Sequence, residues 1–232
     1  MPKMHCVHPL VLMITAVVSA TSPCTGGSSE LSLADCRSWQ AFYDGHGGTH
    51  WTGDEVPSNA RADPCRAGEY YNIECDGGHI THVDLLEVGV TGALSDAVDA
   101  LGGMQKLAVL ELYGNELNGT IPAAIAKFTD LWYLDLERNR LTGTIPPALG
   151  RLKKLNTTYL ACNELSGTVP NLPFKQYAGD CVLSSKDFDM ARGCGPGGYG
   201  PMRLACPLPA NAADCKWTSG QGGEGLDKCV QS

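Results

Sequence analysis

The chain has 232 residues, 43% of them hydrophobic and 18% charged, with a formal net charge of −8 and 11 cysteines. So much apolar content with so few charges excludes a wholly disordered chain. The acidic balance disfavours nucleic acid and anionic membrane as partners, because no basic patch is there to release counterions. Eleven cysteines fit an oxidising compartment, and the odd count leaves one thiol unpaired or absent from the mature chain.

At the N-terminus, Lys3 precedes an apolar run from Pro9 to Val18, and Val18-Ser19-Ala20 follows with small residues. This is the pattern of a cleaved secretory signal. The run is too short to cross ~30 Å of hydrocarbon as a helix. Cleavage after Ala20 is expected to remove Cys6 and leave an even ten cysteines. No later segment reads as a membrane span, so a secreted, soluble protein is expected.

Residues 33–43 place Leu33, Cys36, Trp39 and Tyr43 at helical spacing, with Ser32 as the N-cap. His46 and the following Gly47-Gly48-Thr49-His50-Trp51-Thr52 then read as a turn whose polar residues are exposed. Asp63-Pro64-Cys65 and Tyr71-Asn72-Ile73-Glu74-Cys75-Asp76 lead into a first strand.

Three segments then repeat at a fixed interval. They are Leu107 to Pro122, Leu131 to Pro146 and Leu155 to Pro170, and Asn115, Asn139 and Asn163 are 24 residues apart. Gly119, Gly143 and Gly167 keep the same interval, and a degenerate unit precedes them at Ile80-Thr-His-Val83-Asp-Leu85. That unit carries about three extra residues, expected within Ala97–Met104. Alternating leucines make a short strand with one buried face. The asparagine satisfies backbone groups in the tight turn that follows, and glycine allows backbones to approach. No single unit buries its own apolar face, so the units must stack.

The pattern LxxLxLxxNxLxGxIP resembles the plant-type leucine-rich-repeat subfamily, found in receptor-kinase ectodomains and polygalacturonase-inhibiting proteins. Thr158, in place of a core leucine, and Cys162, beside the ladder asparagine, depart from it. The upstream helix, the Gly-Gly…Trp-Thr turn and the two Cys motifs resemble the N-terminal cap of the same subfamily. The resemblance implies an α/β solenoid: a short right-handed coil with a parallel concave sheet, a helical disulfide-bonded cap and an irregular cysteine-rich C-terminal segment. It also implies Cys65–Cys75 and Cys24–Cys36 disulfides. The expected division is a signal at 1–20, a cap at 21–78, repeats at 79–172 and a cysteine-rich tail at 173–232. Cys162, Cys181, Cys194, Cys206, Cys215 and Cys229 allow 15 pairings, and sequence does not choose among them.

No catalytic set, metal site or cofactor motif is legible. Gly193-x-Gly195-x-x-Gly198 matches a dinucleotide fingerprint by letter, but Cys194 and Pro196 lie inside it and it reads as loop glycine. His46 with His50, and His79 with His82, lack the remaining ligands of a zinc site. The strand positions beside the inner leucines point to the concave surface. They give columns that include Tyr133 in the first, Asp84, Glu111, Asp135 and Tyr159 in the next, Tyr113 and Glu137 in the third, and Arg138 in the last. Stacked carboxylates about 4.8 Å apart repel one another unless a partner neutralises them. These eight residues are the expected binding face for an extracellular protein, peptide or glycan. Asn118 and Asn156 head glycosylation sequons, of which Asn118 is the more accessible by pattern. The expected function is recognition without catalysis. Inhibition of wall-degrading enzymes and a structural role in extracellular matrix are the alternatives.

Overall fold

The computed structural model describes residues 23–53, 55–160, 162–168 and 170, with the backbone strands Cys181–Val182 and Arg203–Ala205. The expected signal segment, the glycine motif at 193–198 and the pairing of the tail cysteines lie outside the described residues.

Helix α1 (Leu33–Gly45) begins where Ser32 caps it, the Ser32 side chain accepting from Asp35 N–H. The strands β1 (Tyr71–Asp76) and β2 (His79–Leu85) form an antiparallel hairpin. Each later unit contributes one strand to each of two sheets. The first sheet holds β2, β4 (Val109–Glu111), β6 (Tyr133–Asp135) and β8 (Thr157–Tyr159), paired in parallel. The second holds β3 (Thr91–Ala93), β5 (Glu116–Thr120), β7 (Arg140–Thr144) and β9 (Glu164–Thr168). The three extra residues of the first unit appear as helix α2 (Leu94–Ala100) followed by a 3-10 turn at Leu101–Gly103. Later coils carry only the 3-10 turns Ala123–Lys127 and Pro147–Arg151.

β10 (Cys181–Val182) pairs in parallel with β8, and β11 (Arg203–Ala205) pairs in parallel with β9, so both sheets continue beyond the third full repeat.

The asparagine ladder explains why the units stack. Asn139 accepts from Leu117 N–H and donates to Leu112 and Leu136 carbonyls. Asn163 accepts from Leu141 N–H and donates to Leu136 and Leu160 carbonyls. Asn115 accepts from Gly89 and Val90 N–H and donates to Leu85 carbonyl. Every asparagine therefore holds the coil before its own. The first unit has no coil before it, and the buried Val88 stands at that position instead. That is the physical reason the first unit is degenerate. Between the sheets lie the leucines of every repeat, among them Leu110, Leu112, Leu134, Leu136 and Leu160, all fully buried. Each contributes roughly 1.5–3 kcal/mol by burial.

The cap is closed by aromatic packing and cross-links. Trp39 is fully buried and donates from Nε1 to Ala60 carbonyl at 2.7 Å, within a group that includes Phe42, Tyr43, Trp51 and Tyr71. Both cap disulfides, Cys24–Cys36 and Cys65–Cys75, are present. Cys162 is also disulfide-bonded. The turn after α1 departs from expectation at His46, which is buried rather than exposed. Its ring stacks on Phe42 with centroids 4.9 Å apart, and Nδ1 lies 3.0 Å from Phe42 carbonyl. Asp35, fully interior, joins cap to coil by accepting from Ile80 N–H at 2.7 Å.

Candidate functional site

The strand face of the first sheet is built by register. His82 pairs with Val109, Val109 with Tyr133, and Tyr133 with Thr157. One row along, Asp84 pairs with Glu111, Glu111 with Asp135, and Asp135 with Tyr159. Like charges thus occupy three successive strands, an arrangement that costs energy when nothing neutralises it.

Exposure divides this face. Asp84, Glu111, Tyr113, Tyr133 and Arg138 are half-buried. Asp135, Glu137 and Tyr159 are buried, with 0%, 3% and 8% exposure. Asp135 accepts from Glu137 N–H at 2.9 Å, and Glu111, Asp135, Glu137 and Tyr159 all have further interactions. The accessible part of the face therefore runs from Asp84 to Tyr133 and Arg138 and stops short of Tyr159.

Electrostatics concentrate there. Burial pushes the Asp84 carboxyl up to about 6; the hydrogen bond from Asn72 opposes that, and Asp135 and Glu74 add to it. Asp84 Oδ1 is buried and has no hydrogen-bond partner among the described residues. Tyr133 is likewise held well above the usual phenol range, first by burial and then by Asp135 and Glu111. Its ring meets Tyr159 at 5.8 Å and Trp132 at 5.7 Å, both edge-on. Arg138 belongs to a neighbouring group: it donates to Tyr113 Oη at 2.8 Å, lies over that ring and stands 4.0 Å from Glu87. Arg138 has a left-handed backbone, φ 56°, as do Glu87 and Cys162 at the same place in their units.

Three contributors lay outside the repeat columns. Glu74 comes from β1 and sits 3.2 Å from His82, a contact that depends on the hairpin register. Asn72 reaches Asp84 from the same strand. Trp132 is 43% exposed at the edge of the face; its alternation with the inner Leu131 was the available signal. The sequons differ as well: Asn118 and Thr120 are exposed on β5, while Asn156 is half-buried and Thr158 is fully buried. Among the described residues, no group of three His, Cys, Asp or Glu gathers as a metal site.

Known proteins agree with this architecture. A Leucine Rich Repeat family model matches residues 130–152. No curated protein sequence matches the chain. Among solved structures, a pollen receptor kinase 3 is similar at 18% identity and TM-score 0.50, over 83% of this chain and 100% of that one. The leucine-rich-repeat ectodomain of the receptor kinase SOBIR1 from Arabidopsis thaliana is similar at 21% identity and TM-score 0.49, over 75% of this chain and 91% of that one. The ectodomain of GASSHO1/SCHENGEN3 from Arabidopsis thaliana, solved with CASPARIAN STRIP INTEGRITY FACTOR 2, is 27% identical with TM-score 0.46. That match covers 60% of this chain and only 16% of the ectodomain. Residues 130–152 thus carry a leucine-rich repeat, and the likeness to the pollen receptor kinase 3 structure is one of fold.

Proposed function

We propose that the protein is an extracellular recognition module, without catalysis, that binds a peptide or protein segment through a cationic group on the strand face of the first sheet. The observation that carries this reading is the in-register pair Asp84 and Glu111, flanked by Tyr133 and Tyr113. A lysine or arginine seated there relieves like-charge repulsion. Tyrosines beside it supply amphipathic contact area, a mixture enriched at interfaces. Asp135, Glu137 and Tyr159, being buried, set the field and the floor of this site rather than its open surface. The cleavable N-terminal pattern and the cap disulfides support secretion as part of this reading. No helix among the described residues is long and apolar enough to cross a membrane. Asn118, exposed on the second sheet, is the proposed glycan acceptor, which leaves the first-sheet face clear.

Selection from a displayed random peptide library tests the reading. Enriched peptides are expected to carry Lys or Arg and to lose binding to the Asp84→Asn, Glu111→Gln double variant. Enrichment with no charge preference, or binding indifferent to that double change, refutes it.

A further inference from the structure

The strand face does not end at β2. Strand β1 of the cap pairs antiparallel with it, and Asn72 lies opposite Asp84. Leu86 N–H donates to Tyr70 carbonyl, so Tyr70 stands opposite Leu86, just past the ends of the two strands. On the other side of β2 the parallel register sets Asp84 beside Glu111. There Glu87 N–H donates to Tyr113 carbonyl, which brings Leu86 beside Tyr113. Alternation along β1 turns Tyr71 and Ile73 inward, where both are buried, and leaves Tyr70 and Asn72 on the outer side with Asp84. Two rows therefore run from cap to coil. Asn72, Asp84 and Glu111 make a polar, acidic row; two residues further along β2, Tyr70, Leu86 and Tyr113 make a strip of apolar surface.

Tyr70 is the open end of that strip. It is 45% exposed, whereas Tyr43 and Tyr71 of the same cap are buried. Its backbone is nevertheless held on both sides: the N–H donates to the Glu55 carboxylate at 2.7 Å, and the carbonyl accepts from Leu86 N–H at 2.9 Å. A single exposed aromatic is ordinary. One fixed in register with the half-buried Leu86 and Tyr113, beside a row of carboxylates, offers contact area at little cost in entropy. Side chains on one face of a strand are two residues apart, roughly 7 Å along the chain. An extended peptide whose cation lies over Asp84 and Glu111 therefore brings the side chain two positions away onto the strip. We propose that Tyr70 and Leu86 form a second subsite of the strand face, and that the peptide it takes carries an aromatic or long aliphatic residue two positions from its Lys or Arg. The charge of the acidic row selects the cation, and the cap supplies the apolar contact. This inference rests on the strand-face reading above and extends that site onto the cap.

Parallel selections from a displayed random peptide library, on the parent protein and on Tyr70→Ala, test it. Peptides enriched on the parent are expected to carry Lys or Arg with an aromatic or long aliphatic residue two positions away. On Tyr70→Ala the preference for Lys or Arg should remain and the apolar preference should vanish. A peptide selected on the parent should bind Tyr70→Ala about tenfold more weakly, and Tyr70→Phe, which keeps the ring, should recover most of that loss. The Tyr70 side chain is exposed and the two bonds that hold the residue are made by its backbone, so both variants should melt as the parent does. Three results overturn the inference and leave the strand-face reading standing: Lys or Arg enriched without an apolar residue at that spacing, unchanged binding to Tyr70→Ala, or a loss with Tyr70→Phe as large as with Ala. Enrichment without Lys or Arg overturns both.

Discussion

The cap and the coils reach a buried core by opposite means. In the coils every contact is repeated: the same leucines, the same asparagine bridge and the same glycine recur at an interval of 24 residues. In the cap nothing repeats, and order comes from single contacts. There, Trp39 is clasped by four aromatic rings, Asp35 bridges to β2 and two disulfides tie down the loops. A coil borrows stability from its neighbours on both sides. The cap has a neighbour on one side only, and must supply internally what stacking supplies elsewhere.

The largest test of that contrast is Trp39→Ala. It removes the centre of the aromatic group and the bond to Ala60 carbonyl. A loss of about 3–5 kcal/mol is expected in chemical denaturation, because no repeated contact compensates. Asn139→Ala comes next. It leaves Leu117 N–H and Leu112 carbonyl buried without their bridge, at an expected cost of about 2–4 kcal/mol. Because coils share their contacts, hydrogen exchange should rise in β5 and β7 while the cap stays protected. Equal loosening of the cap would show that the two regions open as one unit.

Glycine sharpens the comparison within the coils. Gly143 has φ 76°, and a Cβ there would lie 2.9 Å from Thr120 Cγ2. Gly119 has nearly the same φ, 77°, but its Cβ would meet only Ala93 at 3.7 Å. Gly143→Ala should therefore cost about 1–3 kcal/mol, and Gly119→Ala should fall at the low end of that range. Thermal melts of the two variants side by side separate steric approach from backbone strain. Identical losses would show that the close contact relaxes without cost.

The same contrast governs what was legible in the sequence. Periodic features were: the asparagine ladder, the paired strands and the register that aligns Asp84, Glu111 and Asp135 follow from a spacing that can be counted. The two cap disulfides were implied by resemblance to a cap of known pattern. Unrepeated contacts were not legible. Nothing in the spacing of His46 announces that it stacks on Phe42, nor that Glu74 and Asn72 from β1 reach the strand face. The burial of Asp135 and Glu137 was hidden for a related reason. Column arithmetic says which side of a strand a residue points from, but not how much solvent remains there.

Asp84 joins the two regions, since β1 of the cap hairpin and β4 of the first full coil both flank it. Its carboxyl is pushed up to about 6, against an ordinary value near 4 when unfolded. The sign follows directly. With the folded value raised, the folded state binds the proton more tightly than the unfolded chain does. The contribution to stability is fully present below about pH 4 and is lost as pH rises through about 6. At pH 7 the ionised group opposes folding, so Asp84→Asn should be the more stable protein there. That advantage should shrink towards zero by pH 4, where the parent carboxyl is already neutral. A cationic ligand feels the opposite dependence, because it needs the carboxylate. Acidification from pH 7 to 5 should therefore stabilise the fold at this position while weakening the ligand, and the Asn variant should lose both responses. Melting curves and peptide titrations across that range read the two effects separately. A peptide affinity that holds steady through pH 6 would place the cation away from Asp84 and leave the carboxyl as a feature of the seam between cap and coil.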